Sequence, residues 1–214
     1  RYIRKAVEGS LRRLGTDHID LYQMHRPDPR TPIGETLSAL DDLITEGKVR
    51  YVGCSAFSGW QIIDADWTAH SAGHAAFICT QDEYNLLNRD LEREVIPALE
   101  HIGGGLLPYF PLASGLLTGK YRRGEDAPEG TRLRRRPERL ARADFDTIEA
   151  LQAFADDRGV TMAQVAIGWL AAQPTVGSVI AGASKPEQVR ANAQTLWEPD
   201  AADLLELERL TGRK

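Results

Sequence analysis

The sequence predicts an α/β protein built on parallel strands joined by helical crossovers. Three observations carry this. Helix-like and strand-like segments alternate along the chain. The first four strand-like runs begin about 30 residues apart, the span of a strand plus its crossover helix. The first of them, Ile19 to His25, is apolar on both faces, as in a sheet covered on both sides. A doubly wound sheet and a (β/α) barrel both fit. No Gly-x-Gly-x-x-Gly follows any strand, which counts against a doubly wound dinucleotide-binding domain. A closed barrel has eight strands in about 250 residues; five strand-like runs are found here.

Residues 2 to 14 carry Ile3, Val7, Leu11 and Leu14 at helical spacing, and Gly15 stops that helix. In the first strand Ile19, Leu21, Gln23 and His25 share one face, and Asp20, Tyr22 and Met24 the other. Thr31 then reads as an N-cap with Pro32 in the first helical position. Ile33, Leu37, Leu40 and Ile44 form the stripe of that helix, which Gly47 ends. Lys48 to Ser55 is the second strand, and Ser58 caps a helix reaching about His70. Ala76 to Gln81 is the third strand. A polar loop, Asp82 to Asn88, leads to a helix bearing Leu91, Val95, Leu99 and Ile102, with Pro97 as a potential kink. Gly103, Gly104 and Gly105 follow as a helix stop, and Gly105 to Phe110 is the fourth strand. Pro111 to Asp144, rich in Gly, Pro and Arg, is too long for an ordinary connection and is expected to be a functional or mobile loop. Helices over 145–158 and 161–172 precede a fifth strand, Val176 to Ala181. Helices over 186–196 and 201–210 close the chain.

The 214 residues are enough for one well-buried core. A net charge of -5 argues against a general nucleic-acid binder. No apolar run approaches the roughly 20 residues that span a bilayer, and no signal-peptide core follows the first residues. Cys54 and Cys79 lie in apolar runs and read as buried free thiols, which suits a cytoplasmic setting. The chain begins with Arg1 rather than Met, which suggests a segment upstream.

In such folds chemistry collects at the C-terminal ends of strands. Those ends offer His25, Ser55, Gln81 with Glu83 to Asn85, Tyr109, and Gly182 with Ser184. Each also has a structural reading: a satisfied histidine, a hydroxyl bonded to backbone, an aromatic in the core. In Val179 to Gln188 a strand runs into Gly182, then Ser184 as N-cap with Glu187 as capping-box partner. Such a helix start with Lys185 beside it suits either an anion or a plain cap. His70 and His74 have a metal-compatible spacing, but Ser71 stands where the zinc motif needs Glu. Arg132, Arg134, Arg135, Arg136, Arg139 and Arg142 read as a solvated face or as a grip on a phosphate.

Longer stretches resemble a known family. Ser10 to His25, with Leu14-Gly15-Thr16-Asp17-His18-Ile19-Asp20-Leu21-Tyr22 at its centre, resembles a helix and the fourth strand of the aldo-keto reductase superfamily. So, in the family's order, do Gly47 to Ser55, Gln81-Asp82-Glu83-Tyr84-Asn85, Leu116 to Tyr121, and Gly182-Ala183-Ser184. The likeness is to bacterial reductases and to the potassium-channel β-subunit branch.

The resemblance implies a (β/α)₈ barrel of the TIM type that reduces aldehyde or ketone carbonyls with NADPH, returning NADP+, and without metal. It implies that His25 is the active-site histidine beside the substrate carbonyl. Ser55 and Gln81 would bond the nicotinamide carboxamide, and Tyr109 would stack on its ring. Leu112, Gly115 and Leu116 would line the pyrophosphate, with Lys120 and Arg132 on a covering loop at about 111–144. Gly182, Ser184, Lys185 and Gln188 would hold the 2′-phosphate region, and Asn192 the adenine. Two positions depart from the family's pattern: Ala56 stands where Asn is usual, and Ala191 where Glu is usual.

The family's proton donor is a Tyr, supported by an Asp and a Lys, all in the barrel's first strands. Neither Tyr22 nor Tyr51 matches that position. The resemblance therefore implies one domain over residues 1–214 that is N-terminally incomplete, holding strands four to eight. Without that acid the chain is not expected to turn over well alone. Its expected partners are a small carbonyl substrate and either the missing part of the barrel or a second copy, with no nucleic acid and no membrane. The alternatives are a non-catalytic NADPH-binding sensor or interaction module of the same fold, or a barrel hydrolase using Glu83.

Overall fold

The computed structural model describes residues 2–193 and 197–212. They fall into two compact units, Arg1–Asp82 with Leu91–Leu107, and Glu83–Asp90 with Pro108–Lys214. Among the described residues no helix is long and apolar enough to cross a membrane.

The first unit alternates helix and strand as the sequence predicts. α1 (Tyr2–Leu14) buries Val7 and Leu11 and ends at Gly15, whose φ of +67° is left-handed. β1 (Ile19–Met24) is half-buried along most of its length, not covered on both faces. The reason is its place: in the order β1-β2-β3-β4 it is an edge strand. His25 falls just beyond β1, in a bend, and is exposed.

α2 (Ile33–Thr45) starts one residue later than its sequence suggests. Pro32 occupies the N-cap with an extended ψ of 138°, and Thr31 instead donates its hydroxyl to Asp28 at 3.2 Å. Leu37, Leu40 and Leu43 point inward; Ile44 is only half-buried. β2 (Val49–Ser55) runs parallel to β1, with Ile19 opposite Val49 and Met24 opposite Cys54. α3 (Gly59–Ala72) is opened by Gln61, whose Oε1 accepts the Ser58 N–H at 3.0 Å, and is ended by Gly73 at φ +70°.

β3 (Cys79–Glu83) begins three residues after Ala76; before it the Ala75 N–H is taken by Asp41 at 2.9 Å, and the Ile78 N–H reaches the Val52 carbonyl of β2 at 2.9 Å. The helix predicted from Leu91 breaks in two: a 3-10 turn at Asp90–Arg93, then α4 (Val95–Ile102). Pro97 has no N–H for the carbonyl of Arg93, so it sits in the first turn of α4 and does not kink a longer helix. β4 (Gly105–Tyr109) follows. Val7, Leu37, Leu40, Leu43, Val49, Val52, Ile62, Leu99 and Leu106 are buried in this unit. Each such side chain contributes about 1.5–3 kcal/mol of transfer free energy.

The second unit holds the segment expected as a functional or mobile loop. That segment is folded. It carries 3-10 turns at Ala113–Thr118 and Arg132–Arg135 and the short helix α5 (Pro137–Ala141). Tyr121, Ala127, Leu133 and Leu140 make a cluster of their own, with Leu116 and Phe145 against it. These apolar residues are too widely spaced for a periodic signal to reveal them.

α6 (Phe145–Asp157) starts on Asp144, which accepts the Thr147 N–H, and α7 (Met162–Ala171) on a Thr161–Gln164 capping box. α8 (Pro186–Ala193) is exposed almost throughout; its predicted continuation to Leu196 lies outside the described residues. α9 (Ala201–Thr211) starts on Asp200. Arg158 joins α6 to α9, bonding Asp203 at 2.5 Å and Glu206 at 2.8 Å with its guanidinium over the Phe154 ring. The predicted fifth strand is not continuous: it carries isolated bridge positions at Val176 and Ile180, and Ile180 pairs in parallel with Tyr109, its N–H reaching the Pro108 carbonyl at 2.9 Å. Gly177 and Ser178 weaken that run as a strand, and a turn precedes it: the Val176 N–H bonds the Gln173 carbonyl at 3.0 Å.

Candidate active site

The exits of β2 and β3 bring several polar groups together in the first unit. Their parallel register sets Ser55 beside Gln81 and Cys54 beside Thr80. The Ser55 hydroxyl donates to the Gln81 carbonyl at 2.6 Å. The Gln81 side-chain amide donates to Gln23 Oε1 at 2.9 Å, and Gln23 in turn donates to the Cys54 carbonyl at 3.3 Å. A glutamine amide has two N–H donors, so Gln81 retains one for a ligand. Ser55, having given its proton to Gln81, retains lone pairs that accept.

Behind this row lies a buried acid, in a stretch whose polar composition predicts a loop. Asp82 is 6% exposed; its Oδ1 accepts the Ala56 N–H at 2.9 Å and its Oδ2 the Thr80 hydroxyl at 2.6 Å. Burial pushes the carboxyl up from its ordinary value, while those two hydrogen bonds pull it back. Ala56 itself has φ +58°, a left-handed conformation that costs an L-residue about 1–2 kcal/mol. Burial also pushes the Cys54 thiol up to about 12, which disfavours the thiolate. Cys54 faces with Thr80 and Cys79 with Gly53, on opposite sides of the sheet, and both thiols are free.

Three other histidines lie beside acids: His18 is 2.7 Å from Asp17. His70 lies 3.4 Å from Asp66 and His74 3.5 Å from Asp41. No cluster of three or more metal-ligating side chains occurs among the described residues.

In the second unit Tyr109, half-buried at the end of β4, meets Phe110 edge-on at 5.2 Å. Leu112 opens the following 3-10 turn, and its carbonyl accepts the Gly115 N–H at 2.7 Å. Gly115 is buried at φ +97°, and a Cβ there would lie 2.7 Å from Cε and Nζ of Lys120. So Lys120 lies across Gly115, with its ammonium 5.3 Å from the Tyr121 ring; Leu116 packs beside them. Arg132 sits 5.2 Å over Phe110, a partner the sequence did not suggest.

Ser184 is bonded to Gln188 rather than Glu187: Gln188 Oε1 accepts both its N–H (2.8 Å) and its hydroxyl (3.2 Å). The glutamine one residue further on reaches back across the turn. Gly182, Ser184, Lys185 and Gln188 are exposed, and Asn192 is half-buried in α8. Asn85, grouped with the strand-end candidates, is fully buried, giving its amide to the Phe110 carbonyl and accepting the Leu87 and Asn88 N–H groups. It is a structural residue.

The cations differ in how they are matched. Arg123 bonds Glu149 and Asp146, and Arg134 lies 3.1 Å from Asp126. Among the described residues Lys120, Arg132 and Lys185 are in no ion pair. A cleft of about 650 Å³ lined by Arg122, Arg123, Leu133, Arg134, Leu140 and Phe145 holds none of the predicted site residues. Two of its arginines are already neutralised, so size alone does not make it the reactive site.

The chain matches the family model described as the aldo/keto reductase family over residues 1–208. It is 38% identical over 188 residues to the uncharacterized oxidoreductase YrpG of Bacillus subtilis, covering 88% of this chain and 56% of that protein. It is 36% identical to a probable voltage-gated potassium channel subunit beta of Oryza sativa subsp. japonica, covering 96% and 66%. It is likewise 36% identical to an L-glyceraldehyde 3-phosphate reductase of Escherichia coli O157:H7, covering 92% and 58%. The chain thus spans about three-fifths of the length of these relatives.

Proposed function

The chain belongs to the aldo/keto reductase family, and from that premise we propose that it serves NADPH-dependent reduction of aldehyde or ketone carbonyls. It would supply the later strands of an eight-strand barrel, five strand-helix units in one domain. The observation that carries the reading is the pair at the exits of β2 and β3. Ser55 keeps acceptor lone pairs and Gln81 a spare donor, side by side in register, which matches the N–H and C=O of a carboxamide.

The residues present fit the rest of the cofactor on a second ground. Lys120, Arg132 and Lys185 carry positive charge that no carboxylate among the described residues neutralises, as phosphate recognition needs. Leu112, Gly115 and Leu116 would lie along the pyrophosphate, and Gly182, Ser184, Lys185, Gln188 and Asn192 along the 2′-phosphate and adenine. Tyr109 would stack on the nicotinamide. When bound, the cofactor supplies a hydride to the carbonyl carbon. Ser55 and Gln81 would fix the rotation of the carboxamide, and His25, exposed just past β1, would orient the carbonyl oxygen. With Ala56 in place of Asn, one side-chain contact to the carboxamide is forgone, a loss of about 1 kcal/mol.

The test is turnover by the full-length protein across a panel of aldehydes and ketones, a phosphorylated glyceraldehyde included, followed by loss of reduced-nicotinamide absorbance. His25→Ala should cut kcat/KM strongly while leaving NADPH affinity within twofold. Equal turnover by His25→Ala would remove the histidine from the mechanism. A second reading, NADPH binding without catalysis, is favoured by the relatives named as potassium channel β subunits. Saturable NADPH binding with no turnover on any carbonyl would select it.

A further inference from the structure

We propose that Asp82 is a positioning residue for the nicotinamide end of the cofactor, acting through the backbone of Ala56. This rests on the assignment of Ser55 and Gln81 to the carboxamide. Asp82 points to the sheet face opposite Ser55 and Gln81 and does not touch the ligand itself. It is joined to the ligand-facing row by the turn that leaves β2. There Ala56 adopts φ +58°, which an alanine does not hold without help. The help is the Ala56 N–H to Asp82 Oδ1 bond of 2.9 Å, made where the carboxyl is 6% exposed and water competes little.

The other carboxylate oxygen is held as well. Thr80, fully buried, donates its hydroxyl to Asp82 Oδ2 at 2.6 Å. Thr80 and Cys54 are opposite each other in the β2–β3 register. The acid is therefore fixed on β3 and reaches across to hold the end of β2. Ser55 precedes the clamped residue and Gln81 precedes the clamping one. One carboxylate thus sets the spacing of both carboxamide partners. The sequence offers the same arrangement in miniature: a threonine and an acid two apart, flanking the candidate glutamine.

The experiment compares wild type with Asp82→Ala, Asp82→Asn and Asp82→Ser, using two ligands. NADPH carries the nicotinamide; 2′-phospho-ADP-ribose carries everything else. Asp82→Ala should raise the NADPH dissociation constant about ten-fold, about 1.4 kcal/mol, and leave 2′-phospho-ADP-ribose within twofold. Asp82→Asn keeps an acceptor for Ala56 and should stay within twofold for both. Asp82→Ser keeps a polar group beside Thr80 but cannot reach Ala56, so it should behave as Ala does; it serves if Asp82→Ala does not fold. Equal weakening of both ligands, or of neither, overturns the proposal. Amide hydrogen exchange of Ala56 without ligand gives an independent reading: protected in wild type and Asp82→Asn, fast in Asp82→Ser. If wild type binds neither ligand, the cofactor assignment fails, and the exchange result still decides whether Asp82 holds the turn. Unchanged exchange in Asp82→Ser would overturn it.

Discussion

Gly59→Ala sets two rules against each other. Gly59 is the first residue of α3. Helix propensity alone favours alanine over glycine by about 1 kcal/mol, so a sequence-based argument predicts a gain in stability. The packing predicts the reverse. A Cβ at Gly59 would lie 2.5 Å from the carbonyl oxygen of Glu94 and 2.8 Å from its carbon, where an ordinary C···O contact is about 3.3 Å or more. The obstacle is backbone and cannot rotate away. Glu94 is also the N-cap of α4, and its carbonyl accepts the Ala98 N–H at 3.0 Å, so retreat disturbs the first turn of that helix. Overpacking costs about 1–3 kcal/mol, and a backbone obstacle belongs at the upper end. The net loss is then about 1–2 kcal/mol, or about 2–8 °C in Tm for a chain of this size. Thermal and urea unfolding followed by circular dichroism measure it. Gly34→Ala, in α2, is the control: its new Cβ would meet only Thr68 Cγ2 at 3.5 Å, and Tm should hold or rise. A Gly59→Ala variant as stable as the Gly34→Ala control would show that the Glu94 backbone yields without cost.

Other consequences concern charge and burial. Arg158→Ala should cost about 1–3 kcal/mol, since it breaks two charge-assisted bonds and a stacked ring contact. Arg158→Lys should recover less than half, because an ammonium cannot serve both carboxylates in a planar fork; urea midpoints of the three proteins decide it. The folded chain holds the Cys54 proton more tightly than the unfolded chain, the thiol rising from 9.0 to about 12. Its contribution to stability is complete below about pH 9 and is lost as pH rises toward 12. Wild type should therefore lose urea resistance faster than Cys54→Ala across that range, and parallel curves would contradict it. Gly168→Ala should destabilise the second unit, because its Cβ would run into the Trp197 carbonyl oxygen; a thermal melt unchanged within 1 °C of wild type, within about 0.5 kcal/mol, would contradict that.

Periodicity exposed the elements that bury a regular stripe. α1, α2 and β2 lie close to where Val7, Leu37, Leu40 and Val52 put them. It could not show that β1 is an edge, because edge and centre differ in neighbours and not in pattern. It missed the cluster of Tyr121, Leu133 and Leu140, whose spacing follows no helix or strand. The run at Val176 to Ala181 has the composition of a strand, but Gly177 and Ser178 interrupt it and leave isolated bridges at Val176 and Ile180. At the site, Ser55 and Gln81 were legible as strand-end residues. Gln23 and Asp82 were not, since their importance lies in cross-strand bonds of 2.9 Å to Gln81 and to the Ala56 N–H. The one advance signal was polar residues inside or beside apolar strands: Gln23 on the face of His25, and Asp82 two residues after Thr80.

The central claim is that the exits of β2 and β3 hold a nicotinamide carboxamide. The most direct measurement is an equilibrium NADPH titration of the full-length protein, wild type against Ser55→Ala and Gln81→Ala. Wild type should bind saturably, and each substitution should raise the dissociation constant about ten-fold, the loss of one hydrogen bond near 1.4 kcal/mol. Wild-type binding that neither substitution alters would contradict it.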